Sequence, residues 1–116
     1  MTVLIVDDHP SFRASARTLL ESEGYEVIGE AENGADAIRA VAALQPELVL
    51  LDVQLPDMDG FQVAEQLCRL ADPPQVVLTS SRDGSDYGPC ITVCGARGFV
   101  PKGDLSGAAI AALLVA

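Results

Sequence analysis

The chain opens with the stretch V-L-I-V-D-D-H-P, residues 3–10, in which four aliphatic residues run directly into two adjacent aspartates. An aliphatic run of this length is typical of a strand that is buried on both faces of a parallel sheet. Two neighbouring carboxylates need water, a cation or a proton to relieve their repulsion. The stretch therefore predicts a buried strand whose carboxyl end carries an acidic site.

The bulk composition narrows the classes of protein to which the chain can belong. Its 116 residues, 49% of them hydrophobic, fit one domain with an aliphatic core. No apolar run approaches the roughly 18 residues that span a membrane, and the N-terminus lacks the pattern of a signal peptide. We therefore expect a cytoplasmic protein without a membrane segment.

The net charge of −10 argues against nucleic acid as a direct partner of this domain, because binding to phosphates needs clustered basic residues. The chain contains a single lysine, Lys102. Its three cysteines, Cys68, Cys90 and Cys94, are odd in number and form no C-x-x-C pair, which predicts small buried residues with reduced thiols.

Apolar runs alternate with helical patterns along the whole chain. The predicted strands are 2–6, 25–30, 47–51, 75–79 and 97–100. The predicted helices are 11–22, a helix capped by Asn33 and ending near Leu44, one at about 59–70, and 105–115 with Asp104 as its cap. Glycines and a proline within 83–89 weaken the remaining helix, which we expect to be short and near 89–94.

Five strands alternating with helices predict an α/β fold with helices on both faces of a parallel sheet. The first and third strands are the most aliphatic and the second the least, which favours the order 2-1-3-4-5. The predicted fold class is thus a flavodoxin-like (βα)5 three-layer sandwich with one parallel five-stranded sheet.

Polar residues follow most of these strands, and the carboxyl ends of parallel strands meet at one edge of the sheet. Asp7 and Asp8 follow the first strand, Asp52 the third, Thr79 and Ser80 the fourth, and Lys102 the fifth. In this strand order, ligands bind where the order reverses, between strands 1 and 3. Oxygen-only ligands suit Mg²⁺, and with a hydroxyl and a lysine they predict a site for a phosphoryl group.

Over essentially its whole length the sequence resembles the receiver domains of bacterial two-component response regulators. The matching pieces are L-I-V-D-D-H at 4–9, L-L-D-V-Q-L-P-D-M-D-G at 50–60, V-V-L-T-S-S at 76–81 and G-A-R-G-F-V-P-K at 95–102. The opening V-D-D-H-P-S-F-R also resembles the subgroup joined to helix-turn-helix output domains. The resemblance implies that residues 1–116 form one receiver domain.

The resemblance implies a role for individual residues. Asp52 matches the aspartate that a sensor histidine kinase phosphorylates. Asp7 and Asp8 match the acid pair that binds Mg²⁺ together with Asp52, and Gln54 matches the residue whose backbone carbonyl ligates the metal.

The remaining implied roles concern the phosphoryl group and the switch. Lys102 matches the lysine that pairs with the phosphoryl group, and Phe99 matches an aromatic switch residue, although a packing role alone is the alternative. Thr79 and Ser80 compete for the phosphoryl-contacting hydroxyl, which also acts as a switch. The spacing of 22 residues to Lys102 favours Ser80.

Several nearby residues have a simpler interpretation. Asp57 and Asp59 are expected to be loop and cap residues, since Asp59 precedes a helix and Gly60. His9 is expected to be a solvated loop residue that feels the acidic field. Arg82 either influences the loss of phosphate or is a solvated loop residue.

Two departures from the family pattern stand out. Gly103 follows the lysine where the family often has proline, and the pair Gly88-Pro89 falls in the fourth helix, on the surface that usually carries the activation signal. The second departure keeps open a degenerate receiver that acts as a phosphorylation-independent interaction domain.

We therefore expect a phospho-acceptor module that controls homodimerisation or an output, transcription in particular, and not an enzyme. A phosphatase of the haloacid-dehalogenase type would have a second aspartate where this chain has Gln54. The sequence leaves open whether the chain is a single-domain regulator or the receiver of a longer transcription factor.

Overall fold

A computed structural model describes residues 1–81 and 94–114 of the chain, which form three layers around one parallel sheet. The sheet order is β2-β1-β3-β4-β5, as the sequence predicted. Its strands are β1 Thr2–Val6, β2 Glu26–Ala31, β3 Leu48–Asp52, β4 Gln75–Ser80 and β5 Gly98–Pro101. The predicted strands are correct to within one residue at each end, and the shifts bring Asp52 and Ser80 inside their strands.

The helices described by the structure lie on both faces of this sheet. They are α1 Pro10–Ser22, α2 Gly34–Leu44, α3 Gly60–Cys68 and α4 Gly107–Leu114, with a short 3-10 helix at Lys102–Asp104. Residues 89–93 of the helix predicted near 89–94, together with Arg82 and Gly88, lie outside the described residues, and Cys94 lies in a turn. Among the described helices, none is both long and apolar enough to cross a membrane.

Two buried clusters fill the spaces between the layers, one on each face of the sheet. On one face, α2 and α3 pack against side chains such as Leu51 and Leu78. On the other, α1 and α4 pack against Leu50 and Val77. Neighbouring strand residues alternate between the two clusters because successive side chains of a strand point to opposite faces. The central strands must therefore be apolar along their whole length, as the first stretch of the sequence indicated.

Of the two N-cap residues predicted for α2 and for the last helix, one is correct and one is wrong. Asn33 caps α2 as expected, its side chain accepting a hydrogen bond from the backbone N–H of Asp36 at 2.8 Å. The prediction that Asp104 caps the last helix is wrong. Asp104 lies in the 3-10 helix, and the Ser106 hydroxyl accepts from the N–H of Ala109 at 3.0 Å. The 3-10 turn delays the start of α4, which the sequence pattern did not reveal.

Two of the three cysteines lie within the described residues, and neither forms a disulfide. Cys94 is buried, and Cys68 is partly buried at the end of α3. Burial raises the pKa of both thiols above the ordinary value. These two cysteines therefore agree with the prediction of small packing residues in the thiol form.

Candidate functional site

The acidic crevice lies at the carboxyl ends of β1 and β3, where the strand order reverses. Asp52 ends β3, and Asp7 directly follows β1, whose Val6 lies beside Leu51 in the sheet register. Asp7 is fully buried and Asp52 is 2% exposed, whereas Asp8 is exposed. One carboxylate oxygen from each of Asp7, Asp8 and Asp52 lies within 4.8 Å of the other two. The structure therefore brings the predicted acidic residues together.

Lys102 reaches the crevice from the 3-10 turn that follows β5. Its ammonium lies 2.6 Å from Asp7 Oδ2 and 3.4 Å from Asp52 Oδ2. The same ammonium lies 4.5 Å from the centre of the Phe12 ring, a cation–π contact provided by α1. The lysine is mostly buried, so its charge interacts with both carboxylates in a medium that screens weakly.

The pKa of the Asp52 carboxyl group is subject to effects of opposite sign. Burial raises its pKa to about 6, and the negative charge of Asp7 acts in the same direction. A hydrogen bond from the Gln54 backbone N–H at 3.1 Å and the charge of Lys102 act against this rise. The group is therefore a buried acid that ionises close to neutrality, and a further cation in the crevice would favour its ionised form.

The chemistry of the crevice fits a divalent cation bound by oxygen. Asp7 Oδ2 is buried and forms an ion pair with Lys102 at 2.6 Å. Three carboxylates face this one lysine, so the crevice retains an excess of negative charge. A dication would relieve the excess charge, and carboxylate oxygens are the ligands that Mg²⁺ prefers.

His9 lies closer to the acid pair than the sequence interpretation indicated. It is exposed, as expected, but its Nδ1 lies 3.1 Å from Asp7 Oδ1 and 3.0 Å from Asp8 Oδ1. Its backbone N–H also donates to Asp7 Oδ1 at 2.8 Å, immediately before α1 begins. The histidine is thus a direct neighbour of both carboxylates.

Sequence reasoning missed Arg13, which holds the turn after β1. Its guanidinium donates to the backbone oxygen of Asp7 at 2.5 Å and to Glu30 at 3.0 Å. The signal was present, since a basic residue in the second turn of a helix that follows a strand end can reach back to that end. Arg13 therefore links the main chain of the acid pair to Glu30, near the end of β2.

The loop after Asp52 is fixed by two further aspartates and a glycine. Asp59 caps α3 in a capping box with Gln62, as predicted. Asp57 has a more specific role than the expected loop residue, because it accepts hydrogen bonds from the N–H groups of Gly34 at 2.8 Å and Ala35 at 3.0 Å. These two bonds, first that from Gly34, lower the pKa of Asp57. Neither aspartate belongs to the cluster that could hold a metal in the described residues.

Gly60 allows α3 to begin against the acceptor strand. Its N–H donates to the Val53 backbone oxygen at 2.6 Å. A Cβ at this position would lie 2.8 Å from Val53 Cα and would also collide with the backbone oxygen of Asp52. The loop that carries Gln54 is therefore short and held closely at both ends.

Thr79, Ser80 and Phe99 lie on the neighbouring strands. Thr79 pairs with Asp52 in the register of β3 and β4, and its buried hydroxyl has no hydrogen-bond partner among the described residues. Strand alternation places Ser80 on the α2 and α3 face, where the partly buried Phe99 also packs. The two hydroxyls thus face opposite sides, and Ser80 shares its side with Phe99.

Comparison with known proteins identifies the family. Residues 3–112 match the model of the response regulator receiver domain. The chain is 41% identical over 100 residues to the virulence-factor transcription regulator BvgA of Bordetella pertussis, covering 86% of this chain and 48% of that protein. It is 34% identical over 102 residues to the DNA-binding transcriptional activator EvgA of Escherichia coli K12, covering 88% of this chain and 50% of that protein.

A solved structure shows the same fold. A two-component response regulator of the LuxR family from an Aurantimonas species superimposes with a TM-score of 0.86 at 27% identity, covering 97% of this chain and 84% of that chain. The chain spans about half the length of the two transcription regulators that it matches. The match to the family model over almost the whole chain, with the strand order and the acidic crevice, shows that this chain belongs to the response regulator receiver domains.

Proposed function

We propose that this receiver domain is a phospho-acceptor of a two-component system, phosphorylated on Asp52 by a sensor histidine kinase. The observation that carries the proposal is the position of Asp52, a buried carboxylate at the end of β3 that clusters with Asp7 and lies 3.4 Å from the ammonium of Lys102. A lysine beside the acceptor offers a positive charge to a group that arrives with negative oxygens.

The proposed reaction is a nucleophilic displacement at phosphorus. An ionised oxygen of Asp52 forms the new O–P bond, the P–N bond to the kinase histidine breaks, and its electron pair returns to the imidazole nitrogen. The Gln54 N–H binds Asp52 Oδ1, so this hydrogen bond orients the carboxylate and leaves the oxygen nearer Lys102 to attack.

Asp7, Asp8, Asp52 and the backbone carbonyl of Gln54 would hold Mg²⁺ in this crevice. The bound ion would supply positive charge for the oxygens of the phosphoryl group. The excess of three clustered carboxylates over the single ammonium of Lys102 supports this assignment.

The proposed switch starts with Lys102, which contacts Asp7 more closely than Asp52 in the unphosphorylated chain. A phosphoryl group on Asp52 attracts the ammonium and the hydroxyl of Ser80. Phe99 packs on the same side of the sheet as Ser80, so it is placed to follow that movement. We propose Ser80 and Phe99 as the switch residues on this ground.

The proposed readout is homodimerisation or control of an output, with transcription as the favoured process. The named relatives are transcription regulators about twice as long as this chain. We also propose a cytoplasmic location for the protein. Direct contact of this domain with nucleic acid is not expected, because its net charge is −10.

We do not expect this domain to turn over an external substrate. A phosphatase that used Asp52 as its nucleophile would need a carboxylic acid two residues later to protonate the leaving group. Gln54 occupies that position, and an amide cannot donate and regain a proton in this way.

The test is phosphorylation by a small donor, read as intact mass. The wild type, Asp52→Asn and Asp59→Asn are incubated with acetyl phosphate in the presence and absence of Mg²⁺. Asp59 is a matched control, because it is an acid of the same loop that caps α3. We expect one phosphoryl group on the wild type and on Asp59→Asn, dependent on Mg²⁺, and none on Asp52→Asn.

The opposite result would also be informative. No mass gain in a wild type that is folded by circular dichroism would overturn the proposal and favour a degenerate receiver that acts only as an interaction domain. Equal gain in Asp52→Asn would place the acceptor elsewhere in the chain.

A further inference from the structure

The ring of Phe12 borders the acidic crevice and is not a reactant of the proposed phosphoryl transfer. The ammonium of Lys102 lies over this ring, 4.5 Å from its centre. The negative face of an aromatic ring attracts a cation, and the attraction is strongest where water is excluded. The side chain of Lys102 is 16% exposed, so this condition is met. The ring contact therefore adds to the ion pairs of Lys102 with Asp7 and Asp52.

Phe12 and Asp7 belong to one short segment whose main chain is firmly held. The helix α1 begins at Pro10, whose ring fixes φ, and the N–H of Arg13 donates to the backbone oxygen of His9 at 3.1 Å. The guanidinium of Arg13 also donates to the backbone oxygen of Asp7 at 2.5 Å, which ties the helix to the acid. The segment that supplies the closest carboxylate to the ammonium therefore supplies the ring as well.

Packing holds the ring of Phe12 against the body of the domain. The ring packs against the buried cluster that includes Ala16 and Leu20 of its own helix and Val100 of β5. Val100 lies two residues before Lys102, so this cluster joins α1 to the strand that carries the lysine. An aliphatic side chain would also pack there, but only an aromatic ring presents a negative face to the ammonium.

A neutral ring suits this crevice better than a further carboxylate would. Three carboxylates already exceed the single ammonium, and a fourth would add to their repulsion. The ring attracts the ammonium without carrying a formal charge. Asp7 is also a proposed ligand of Mg²⁺, so a bound metal and Lys102 would share its negative charge. The contact with the Phe12 ring involves no metal ligand and therefore remains available to the lysine in that state.

We propose that Phe12 is a positioning residue for phosphoryl transfer, its ring holding the ammonium of Lys102 beside the reacting oxygen of Asp52. The ammonium lies 3.4 Å from Asp52 Oδ2, the oxygen assigned to attack. A charge that is in place before the reaction stabilises the transition state more than one that must first be brought there. The effect on rate rests on the proposed phospho-acceptor function, whereas the ring contact is a property of the unphosphorylated chain.

The experiment weakens the negative face of the Phe12 ring with little change in its size. Phenylalanine that carries one or three fluorine atoms is incorporated at this position, because fluorine withdraws electrons from the ring. Phosphorylation by acetyl phosphate with Mg²⁺ is followed by intact mass. We expect the rate to fall stepwise with added fluorine, by about threefold or more for the trifluorinated ring. Phe12→Leu should lose at least as much, and Phe12→Tyr should stay within about twofold of the wild type.

The ring contact is also measured in the unphosphorylated chain without metal. Lys102 is the single lysine, so ¹³C-labelled lysine gives one set of side-chain signals. The methylene protons next to the ammonium should be shifted upfield by the ring in the wild type and in Phe12→Tyr, but not in Phe12→Leu. Fluorination should lower the urea midpoint of the wild type relative to that of Lys102→Met with the same ring, since Lys102→Met has no ammonium to lose from the ring.

Equal phosphorylation rates across the fluorinated series, in a chain that is phosphorylated, would overturn the inference and leave Phe12 as a packing residue. The same dependence of the urea midpoint on fluorine in Lys102→Met would overturn it as well, because the ring would then act without the ammonium. If the wild type gains no phosphoryl group, the proposed function fails and the rate effect fails with it. The urea comparison still decides in that case whether the ring holds the lysine, so the two failures are distinguished.

Discussion

Lys102 contacts Asp7 at 2.6 Å, more closely than it contacts Asp52 at 3.4 Å. The ammonium of the unphosphorylated domain is therefore bound mainly to the fully buried acid at the end of β1 and only secondarily to the proposed acceptor. The lysine thus has a structural role, the compensation of buried charge, before any phosphoryl group arrives.

Removal of this ammonium should destabilise the domain in the absence of divalent ions. Lys102→Met leaves Asp7 buried with an unpaired charge, and we expect a loss on the order of 3 kcal/mol in the free energy of unfolding. Saturating Mg²⁺ should restore part of the loss by replacing the missing charge. Urea denaturation with and without Mg²⁺ measures both effects, with Lys102→Arg as the charge-conserving control. An equal loss under the two conditions would contradict this role.

The raised pKa of Asp52 predicts how stability depends on pH in the absence of divalent ions. Burial makes the folded chain bind this proton more tightly, with a pKa of about 6 against an ordinary 3.8. The stabilising contribution is complete below the ordinary value and is lost as pH rises through about 6. The loss is on the order of 3 kcal/mol.

The Asp52→Asn variant isolates this contribution, because its amide does not titrate. Urea denaturation between acidic and mildly alkaline pH should show a decline for the wild type that is reduced in Asp52→Asn. The variant should consequently be the more stable protein at alkaline pH. Parallel pH profiles for the two proteins would show that Asp52 does not titrate as its burial implies.

The close approach of α3 to the acceptor strand makes Gly60 sensitive to the smallest side chain. Gly60→Ala places a methyl group 2.8 Å from Val53 Cα, and because the obstacle is backbone, we expect a loss of about 1–3 kcal/mol. Gly103→Ala is the matched control, since a Cβ there meets nothing within 4 Å. It should change stability by less than about 0.5 kcal/mol. Thermal unfolding of both variants decides the point, and equal stability would contradict the close packing.

The two hydroxyls at the end of β4 should respond differently to removal. The Thr79 hydroxyl is buried without a partner among the described residues, so Thr79→Val should be neutral or stabilise by about 1 kcal/mol. Ser80→Ala should instead slow phosphorylation by acetyl phosphate or shorten the lifetime of the product. Denaturation and intact-mass time courses on both variants test this assignment. A phosphorylation defect confined to Thr79→Val would reverse it.

The fold and the convergence of the acids were predictable from local patterns. The aliphatic runs of β1 and β3 identify the central strands, and the residues that follow them must meet at one edge of a parallel sheet. Asp7 and Asp52 were found in this way without knowledge of any side-chain position. The order of the strands followed from how apolar each of them is.

The details that failed depend on contacts between distant segments. Ser106, not Asp104, caps α4 because a 3-10 turn intervenes, and nothing in the local pattern measures the length of that turn. The position of Lys102 on Asp7 depends on the same turn. Arg13 was missed because the sequence reasoning looked for partners among side chains, whereas the guanidinium binds a main-chain oxygen.

The hydrogen bonds from Gly34 and Ala35 to Asp57 tie the loop after the acceptor strand to the first turn of α2. A kinase that displaces this loop to reach Asp52 must therefore break both bonds or carry the start of α2 with it. Since the opposite end of the same loop is closed by the Gly60 contact, the loop has little freedom to open alone. The surface that a phosphodonor meets is thus shared by α2 and α3. Recognition of the donor should therefore depend on exposed residues of α2 as well as on the crevice itself.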